Sequence, residues 1–314
     1  MSEPDDRRPV GFVHVDLDGL WTLAGCYGYP EADSFANDPI FKSALARLLQ
    51  LFREFDIKAT FFICGRDLEL PEKAEAIAGI VAAGHELACH GYAHRIDLED
   101  LGGPAIDEEL ARAGEAIRAV SGAWPLGFRA AGYAAGPRML GAVSRAGMRY
   151  DGSLLPTRWA PLLRAMAGRL RARVARETGC KAPGAPDQYG HGGPLRPEWY
   201  RPEGLAPVLR LPVAVSPVLR LPIHASIGML IGERYVRGGL RGLARRGVPV
   251  CYLLHGMDAL GAEELQGRLP AALLSTRAFQ IPLENKLAFL RPVLGELNRL
   301  TRIQRADRWL INQE

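Results

Sequence analysis

The sequence predicts an α/β fold built on a parallel sheet, either open or closed into a barrel. Two observations carry this. After residue 10, short apolar strand-like runs alternate with amphipathic helical stretches, the rhythm of a parallel sheet with covering helices. Polar residues also fall one after another where those strands end: Asp16 and Asp18, then His90, Arg129, Asp151 and His255. In such folds chemistry sits at the carboxyl ends of the strands.

The elements follow in order. Phe12 to Val15 reads as the first strand. Asp38-Pro39 opens a helix, with Asp as N-cap and Pro in the first turn; Phe41, Leu45, Leu48, Leu49 and Phe52 keep helical spacing. Lys58 to Cys64 is a second strand. Pro71 to Ala83 is helical and stops at Gly84, a C-terminal cap. Glu86 to Cys89 is a short strand running into His90. Ala105 to Val120 is a helix, Gly127 to Ala130 a strand, Pro137 to Ala146 a helix and Met148 to Tyr150 a strand. Residues 156–208 break the rhythm with eight prolines and several glycines. They read as an insertion over the mouth of the barrel. Within it, Arg158 to Arg176 forms a basic helix with Trp159, Leu162, Leu163, Met166 and Leu170 on an apolar side. Such a helix suits a membrane surface or a phosphate; a solvated helix packed on the barrel explains it equally well. Val248 to Leu254 is a strand ending in His255. A long C-terminal helix, 283–310, packs outside. The whole chain, 1–314, reads as a single domain.

Composition narrows the function. Hydrophobic residues make up 48% and charged residues 24% of the 314, an ordinary soluble balance. A net charge of +4 does not suggest nucleic acid. The polar start, Met1 to Pro9, lacks the apolar segment of a secretory signal. No apolar run reaches the length of a membrane span. Five cysteines without CxxC spacing fit free thiols in a reducing cytoplasm.

If Val13 to Gly19 is a strand end, Asp16 and Asp18 share one face, opposite Val13, Val15 and Leu17. Two adjacent carboxylates are unfavourable unless a cation lies near them. His90-Gly91-Tyr92-Ala93-His94 offers the partner: a spacing of four puts both rings on one face of a helical turn, able to hold one metal ion. One Asp with two His leaves positions for water and substrate. The second acid can then act as general base. Neither spacing nor composition says which acid does which.

With these pieces in hand, the chain resembles the NodB-type polysaccharide deacetylases, carbohydrate esterase family 4. Five segments carry the resemblance, over residues 11 to about 155 and again near 210 to 258: Val15-Asp16-Leu17-Asp18-Gly19; His90 to His94, with Gly91 where the family has Ser or Thr; Phe128-Arg129-Ala130-Ala131-Gly132-Tyr133, with Ala131 in place of Pro; Tyr150-Asp151-Gly152-Ser153; and Leu253-Leu254-His255-Gly256. Separation of the acids by Leu17 resembles an atypical branch that includes peptidoglycan deacetylase-like proteins and lipid-linked aminoarabinose deformylases. The resemblance implies a distorted, incomplete (β/α) barrel of seven strands. It implies Asp18, His90 and His94 as metal ligands, Asp16 as the base and Arg129 as its charge-assisted partner. It further implies His255 as the acid for the leaving amine and a backbone N–H near Gly132 for the oxyanion. Zinc suits this donor set, with cobalt, nickel, manganese or iron as further candidates.

Other residues read less sharply. His14 belongs inside the barrel and His85 is structural; His191, Asp187 and Glu203 are solvated. His224 could face the pocket. Asp258 could orient His255 or contact sugar. Asp151 and Tyr133 stand as substrate contacts. Trp21, Tyr27 and Tyr29 could stack on a sugar or merely pack their loop.

The expected function is a cytoplasmic, metal-dependent hydrolase removing an N-acetyl group from an amino sugar, on a lipid-linked or glycolipid precursor, with peripheral membrane contact through 158–176. A deformylase of a lipid-linked formamido sugar, or another amide or imide hydrolase, keeps the chemistry and changes the amide. A non-catalytic sugar-binding module is the reading from another class.

Overall fold

In the computed structural model, residues 8–29, 37–180 and 192–313 are described. Asp187 and His191 lie outside them.

Strand β1 (Val10–Asp16) is the axis of the sheet. It is followed by α1 (Leu20–Cys26), a π-helical turn at Ile40–Ala44 and α2 (Leu45–Glu54). Then come β2 (Thr60–Ile63), α3 (Pro71–Ala82), β3 (Glu86–Cys89) and α4 (Gly103–Ser121). Next are β4 (Gly127–Phe128), α5 (Pro137–Arg145) and β5 (Tyr150–Asp151). The insertion contributes α6 (Ala160–Thr178) and β6 (Glu198–Tyr200). The chain finishes with β7 (Val208–Arg210), α7 (Ala225–Ile231), α8 (Glu233–Ala244), β8 (Val250–His255), α9 (Ala271–Leu274), α10 (Leu283–Leu300), β9 (Arg302–Ile303) and α11 (Ala306–Ile311).

The sheet order is β6-β7-β5-β4-β3-β2-β1-β8, with β9 added to β1. Seven strands, β7 to β8 along this path, run parallel; β6 joins β7 antiparallel at the edge. The ends of the curl meet through one bridge, Val213 to Cys251, and the Ala214 N–H donates to Cys251 O at 2.9 Å. This is an incomplete barrel in a single domain.

Alternation along β1 sorts the core. Val13, Val15 and Leu17 pack outward into the main hydrophobic cluster under the helices. Phe12 points inward, among Phe62, Ala88, Tyr150 and Cys251. His14 and Asp16 share that inner parity. The inner layer is therefore apolar at the base and polar toward the carboxyl end.

The expected continuous helix 283–310 is corrected. It ends at Leu300, where the Thr301 hydroxyl donates to Leu297 O at 2.8 Å. The backbone then extends, and Arg302–Ile303 pair with Val10 and Gly11 before α11 begins. Pairing with β1 satisfies strand groups at its amino end, which a continued helix would leave open.

Candidate active site

Of the polar residues at the strand ends, Asp16, Asp18, His90 and His255 line a cleft of about 380 Å³. Asp16 is the last residue of β1, and the Leu17 N–H still donates to Phe62 O at 3.1 Å. The ladder thus carries alternation one step past the strand, and Asp16 and Asp18 both line the cleft.

Asp18, His90 and His94 bring one donor atom each within 4.8 Å of one another. Asp18 Oδ1 lies 3.1 Å from His90 Nε2 and 3.7 Å from His94 Nε2. It is buried and accepts no hydrogen bond of acceptable geometry among the described residues. His90 Nδ1 is 2.7 Å from Arg129 O, which fixes Nδ1 as the donor and leaves Nε2 free to ligate. Burial alone would raise the Asp18 carboxyl, but the His90 and His94 imidazoles hold it below the usual carboxylate range. An Asp oxygen and two Nε2 atoms converging at one point, with Cys26 beside His94, fit a divalent cation.

The helical turn expected at 90–94 is corrected. Gly91 has φ +77° and His94 φ +49°, so the rings converge from a loop. Glu109 Oε1 gathers this loop by accepting the Tyr92 N–H at 2.9 Å and the Ala93 N–H at 2.6 Å. The left-handed backbone explains glycine at 91, where a side chain would be strained.

Asp16 is buried beside this cluster. Its Oδ1 accepts from Arg129 Nη1 at 2.8 Å, and its Oδ2 lies 3.8 Å from His255 Nε2. Arg129 is fully buried. It also donates from Nε to Gly152 O at 2.9 Å and from Nη2 to His14 Nδ1 at 2.8 Å. His14 sits inside the barrel, as expected; burial and then Arg129 push its imidazole well below its ordinary value, so it stays neutral and accepts.

His255 is held from the other side. Its backbone N–H donates to Asp258 Oδ2 at 2.8 Å, and its Nδ1 lies 3.1 Å from Ser226 Oγ. The Ser226 hydroxyl donates to Asp258 Oδ1 at 2.9 Å. Burial opposes the charge on His255, but Asp258 and then Asp16 outweigh it and lift the imidazole to about 9. Asp258 therefore orients His255 and is corrected from the substrate contacts. Ser226, which belongs to no recognisable motif in the sequence, carried no signal of this role.

Asp151 is corrected as well. It is fully buried, and its Oδ1 takes both the N–H and the hydroxyl of Ser153. Ser153 Oγ in turn accepts the Ala130 N–H at 2.8 Å. This chain braces the turn at 130–133, which has Ala131 and no proline. Gly132 and Tyr133 line the cleft with φ +62° and +64°. The Tyr133 N–H is engaged by Ala130 O at 3.1 Å.

Trp21 is turned away from the substrate role. It is buried, its Nε1 donates to Asp67 Oδ1 at 2.9 Å, and Arg66 covers the ring at 4.6 Å. Tyr27 and Tyr29 pack on the core. His85 accepts the Ala59 N–H at 3.0 Å and is structural. His224 does line the cleft, its ring set edge-on 5.9 Å from that of His255; burial, then His255, drops it to about 3, a neutral imidazole. Apolar side chains complete the wall: Leu23, Ile40, Leu155, Leu163, Ile227 and Met257.

A His/Asp donor set able to hold a metal ion stands beside a carboxylate–imidazole pair at the mouth of an incomplete barrel. The family model for polysaccharide deacetylase matches residues 34–150, which include His90, His94 and Arg129. A peptidoglycan deacetylase from Helicobacter pylori is 28% identical over 149 residues, 47% of this chain and 50% of that protein. A peptidoglycan deacetylase-like protein from Gibberella zeae is 32% identical over 165 residues, 49% of this chain and 46% of that protein. The chain spans about half the length of these curated relatives. The crystal structure of a proposed polysaccharide deacetylase from Mycobacterium smegmatis superposes with a TM-score of 0.64 at 19% identity, over 99% of this chain and 92% of that one; it speaks for the fold. Residues 34–150 thus match a polysaccharide deacetylase domain, and the fold is shared with the Mycobacterium smegmatis structure.

Proposed function

We propose that this protein is a metal-dependent hydrolase that removes the N-acetyl group from an amino sugar. The observation that carries the reading is Asp16, with one oxygen on Arg129 and the other facing His255, beside Asp18, His90 and His94. Those three residues would hold a divalent metal, zinc suiting the donors best. When bound, it would supply Lewis acidity to the water and the acyl carbonyl.

Asp16 Oδ2 takes the proton of the attacking water as it adds to the acyl carbon. The oxygen that gains charge faces the turn at Gly132, whose backbone N–H is the candidate donor because that of Tyr133 is engaged. His255, protonated at neutral pH, delivers its proton to the leaving amine. His224 offers a neutral imidazole to the sugar. Asp16 thereby collects a proton on one side of the scissile bond while His255 releases one on the other.

The substrate we infer is a lipid-linked or glycolipid amino sugar, met in the cytoplasm at the inner face of the membrane. The apolar cleft wall and the basic helix α6 beside it support this, as does the Leu17 separation of the acids, which we read as the mark of the atypical branch. The contact we infer is peripheral; no described helix is long and apolar enough to cross a membrane.

The test is dialysis against chelator, metal analysis, and mass spectrometry of products from free, nucleotide-linked and lipid-linked amino sugars in N-acetyl and N-formyl forms. Loss of acetyl that depends on added metal and disappears in Asp16→Ala is expected. A protein that holds no metal, or an Asp16→Ala variant with full activity, overturns the mechanism. Loss of formyl alone replaces the deacetylase with the deformylase.

A further inference from the structure

The hairpin of residues 215–222 carries an apolar tip that the fold leaves in solvent. Val218 is 68% and Leu219 53% exposed. The tip is built to stay there. Val215 bridges Pro222, and the Ser216 N–H donates to Leu221 O at 2.8 Å. Tyr235 OH donates to Ser216 Oγ at 2.8 Å. Gly242 lies so close to Pro217 that a Cβ there would sit 2.9 Å from the ring.

The tip continues into the insertion. Trp159 Nε1 donates to Leu219 O at 2.9 Å. Trp159, Leu162 and Met166 of the insertion are 38%, 50% and 56% exposed. Leu163, one residue along, lines the catalytic cleft. A continuous apolar lip therefore runs from the hairpin tip to the mouth of the site, and surface apolar groups gathered in this way mark an interaction face.

Beyond the tip the surface turns basic. Val218 and Leu219 share a groove with Arg234, Arg245 and Arg246. On α8, Arg237 and Arg241 are tied to Glu233 and Glu296. Among the described residues no carboxylate pairs with Arg234, Arg245 or Arg246, and all three are exposed. Arg158, also exposed, adjoins Trp159 of the lip in the chain.

We infer that the Val218–Leu219 tip and the Trp159–Met166 lip dock on an anionic lipid bilayer, with Arg234, Arg245 and Arg246 at its headgroups. This rests on the lipid-linked substrate reading and gives it a surface. Charge complementarity selects the partner: apolar tips enter the interfacial layer while flanking arginines meet anionic headgroups. Docking there would seat the cleft, through Leu163, on the layer in which a lipid-linked sugar is held.

The test is sedimentation of the full chain with vesicles of phosphatidylglycerol and phosphatidylcholine, against phosphatidylcholine alone, at low and high salt. Wild type is expected to sediment with the anionic vesicles and to be released by salt. Arg234→Gln/Arg245→Gln/Arg246→Gln should weaken partitioning by about a hundredfold, at roughly fivefold for each charge removed. Val218→Ser/Leu219→Ser should weaken it by about tenfold or more. Both variants should keep wild-type kcat/KM on a water-soluble N-acyl amino sugar. Absence of sedimentation, equal sedimentation with phosphatidylcholine alone, or variants that bind like wild type overturn the docking surface. Hydrolysis of the soluble substrate is scored separately, so loss of the catalytic reading and loss of the docking surface give different results.

Discussion

Asp16 Oδ2 and His255 Nε2 face each other at 3.8 Å across the mouth of the barrel, from the ends of adjacent strands β1 and β8 that pair in register. The separation is longer than a hydrogen bond, which on the proposed mechanism leaves each group free to exchange a proton with a third molecule beside them. Asp16→Asn keeps an oxygen for Arg129 but removes the proposed base. The expected result is a fall in kcat of about 10²–10⁴, with metal content unchanged because Asp18, His90 and His94 are intact. Metal analysis beside steady-state kinetics checks it; a variant that loses its metal would make Asp16 a ligand.

The same pair sets a pH limit. The His255 imidazole is lifted to about 9 from an ordinary 6.5, burial opposing and Asp258 and Asp16 prevailing. The acid form therefore persists through neutrality, and kcat should decline as pH rises through about 9. The stability sign follows: a base whose folded pKa is raised contributes fully below about 6.5 and loses that contribution as pH rises through about 9. Asp258→Asn removes the first of the lifting interactions and should move the alkaline limb down toward 6.5. A pH–rate profile of both proteins decides; an unmoved limb would assign it to another group.

Much of this arrangement was legible in the sequence, because strand ends in a parallel α/β fold are where the polar residues of Asp16, His90, Arg129 and His255 had to fall. Local alternation sufficed to put Asp16 inside and Val15 outside. What failed depends on distant partners. Trp21 follows the acids in sequence but is claimed by Asp67, 46 residues away. Asp151 is turned inward by Ser153 and burial. The 90–94 loop takes its shape from Glu109, and α10 ends where Arg302 finds β1. Ser226 has no pattern at all around it; only folding brings it to His255.

Lys73 ties the floor of the site. Its Nζ is buried 2.6 Å from Asp67 Oδ1 and 3.3 Å from Asp38 Oδ2. Asp38 in turn accepts the Leu20 N–H at 2.9 Å and the Ile40 N–H at 3.0 Å, clamping both ends of the segment that follows Asp18. Burial already pushes Asp38 up to about 6 despite this lysine. Lys73→Met leaves two buried carboxyls without their cation and should destabilise the fold by about 3–5 kcal/mol. Denaturant unfolding measures it. Adding Asp38→Asn to Lys73→Met should recover part of the loss; if the lysine variant is as stable as wild type, the clamp is not structural.

Arg129 is the residue that joins Asp16, His90 and the barrel interior. Its three guanidinium nitrogens donate to Asp16, Gly152 and His14, its carbonyl holds His90, and its guanidinium lies 4.3 Å over the Phe62 ring. A planar fork fills all three directions at once; an ammonium on a flexible stem reaches Asp16 or His14 but not the set. Arg129→Lys should therefore fold with a lowered Tm and lose kcat by at least about 10², the range of a misplaced general base. Metal binding should weaken less, because His90 is oriented by the backbone carbonyl of residue 129, which the substitution retains. Arg129→Met, which leaves Asp16 buried without its paired guanidinium, should be worse by about 3 kcal/mol or more. Equal kcat for Arg129→Lys and wild type would show that charge alone, and not the fork, positions Asp16.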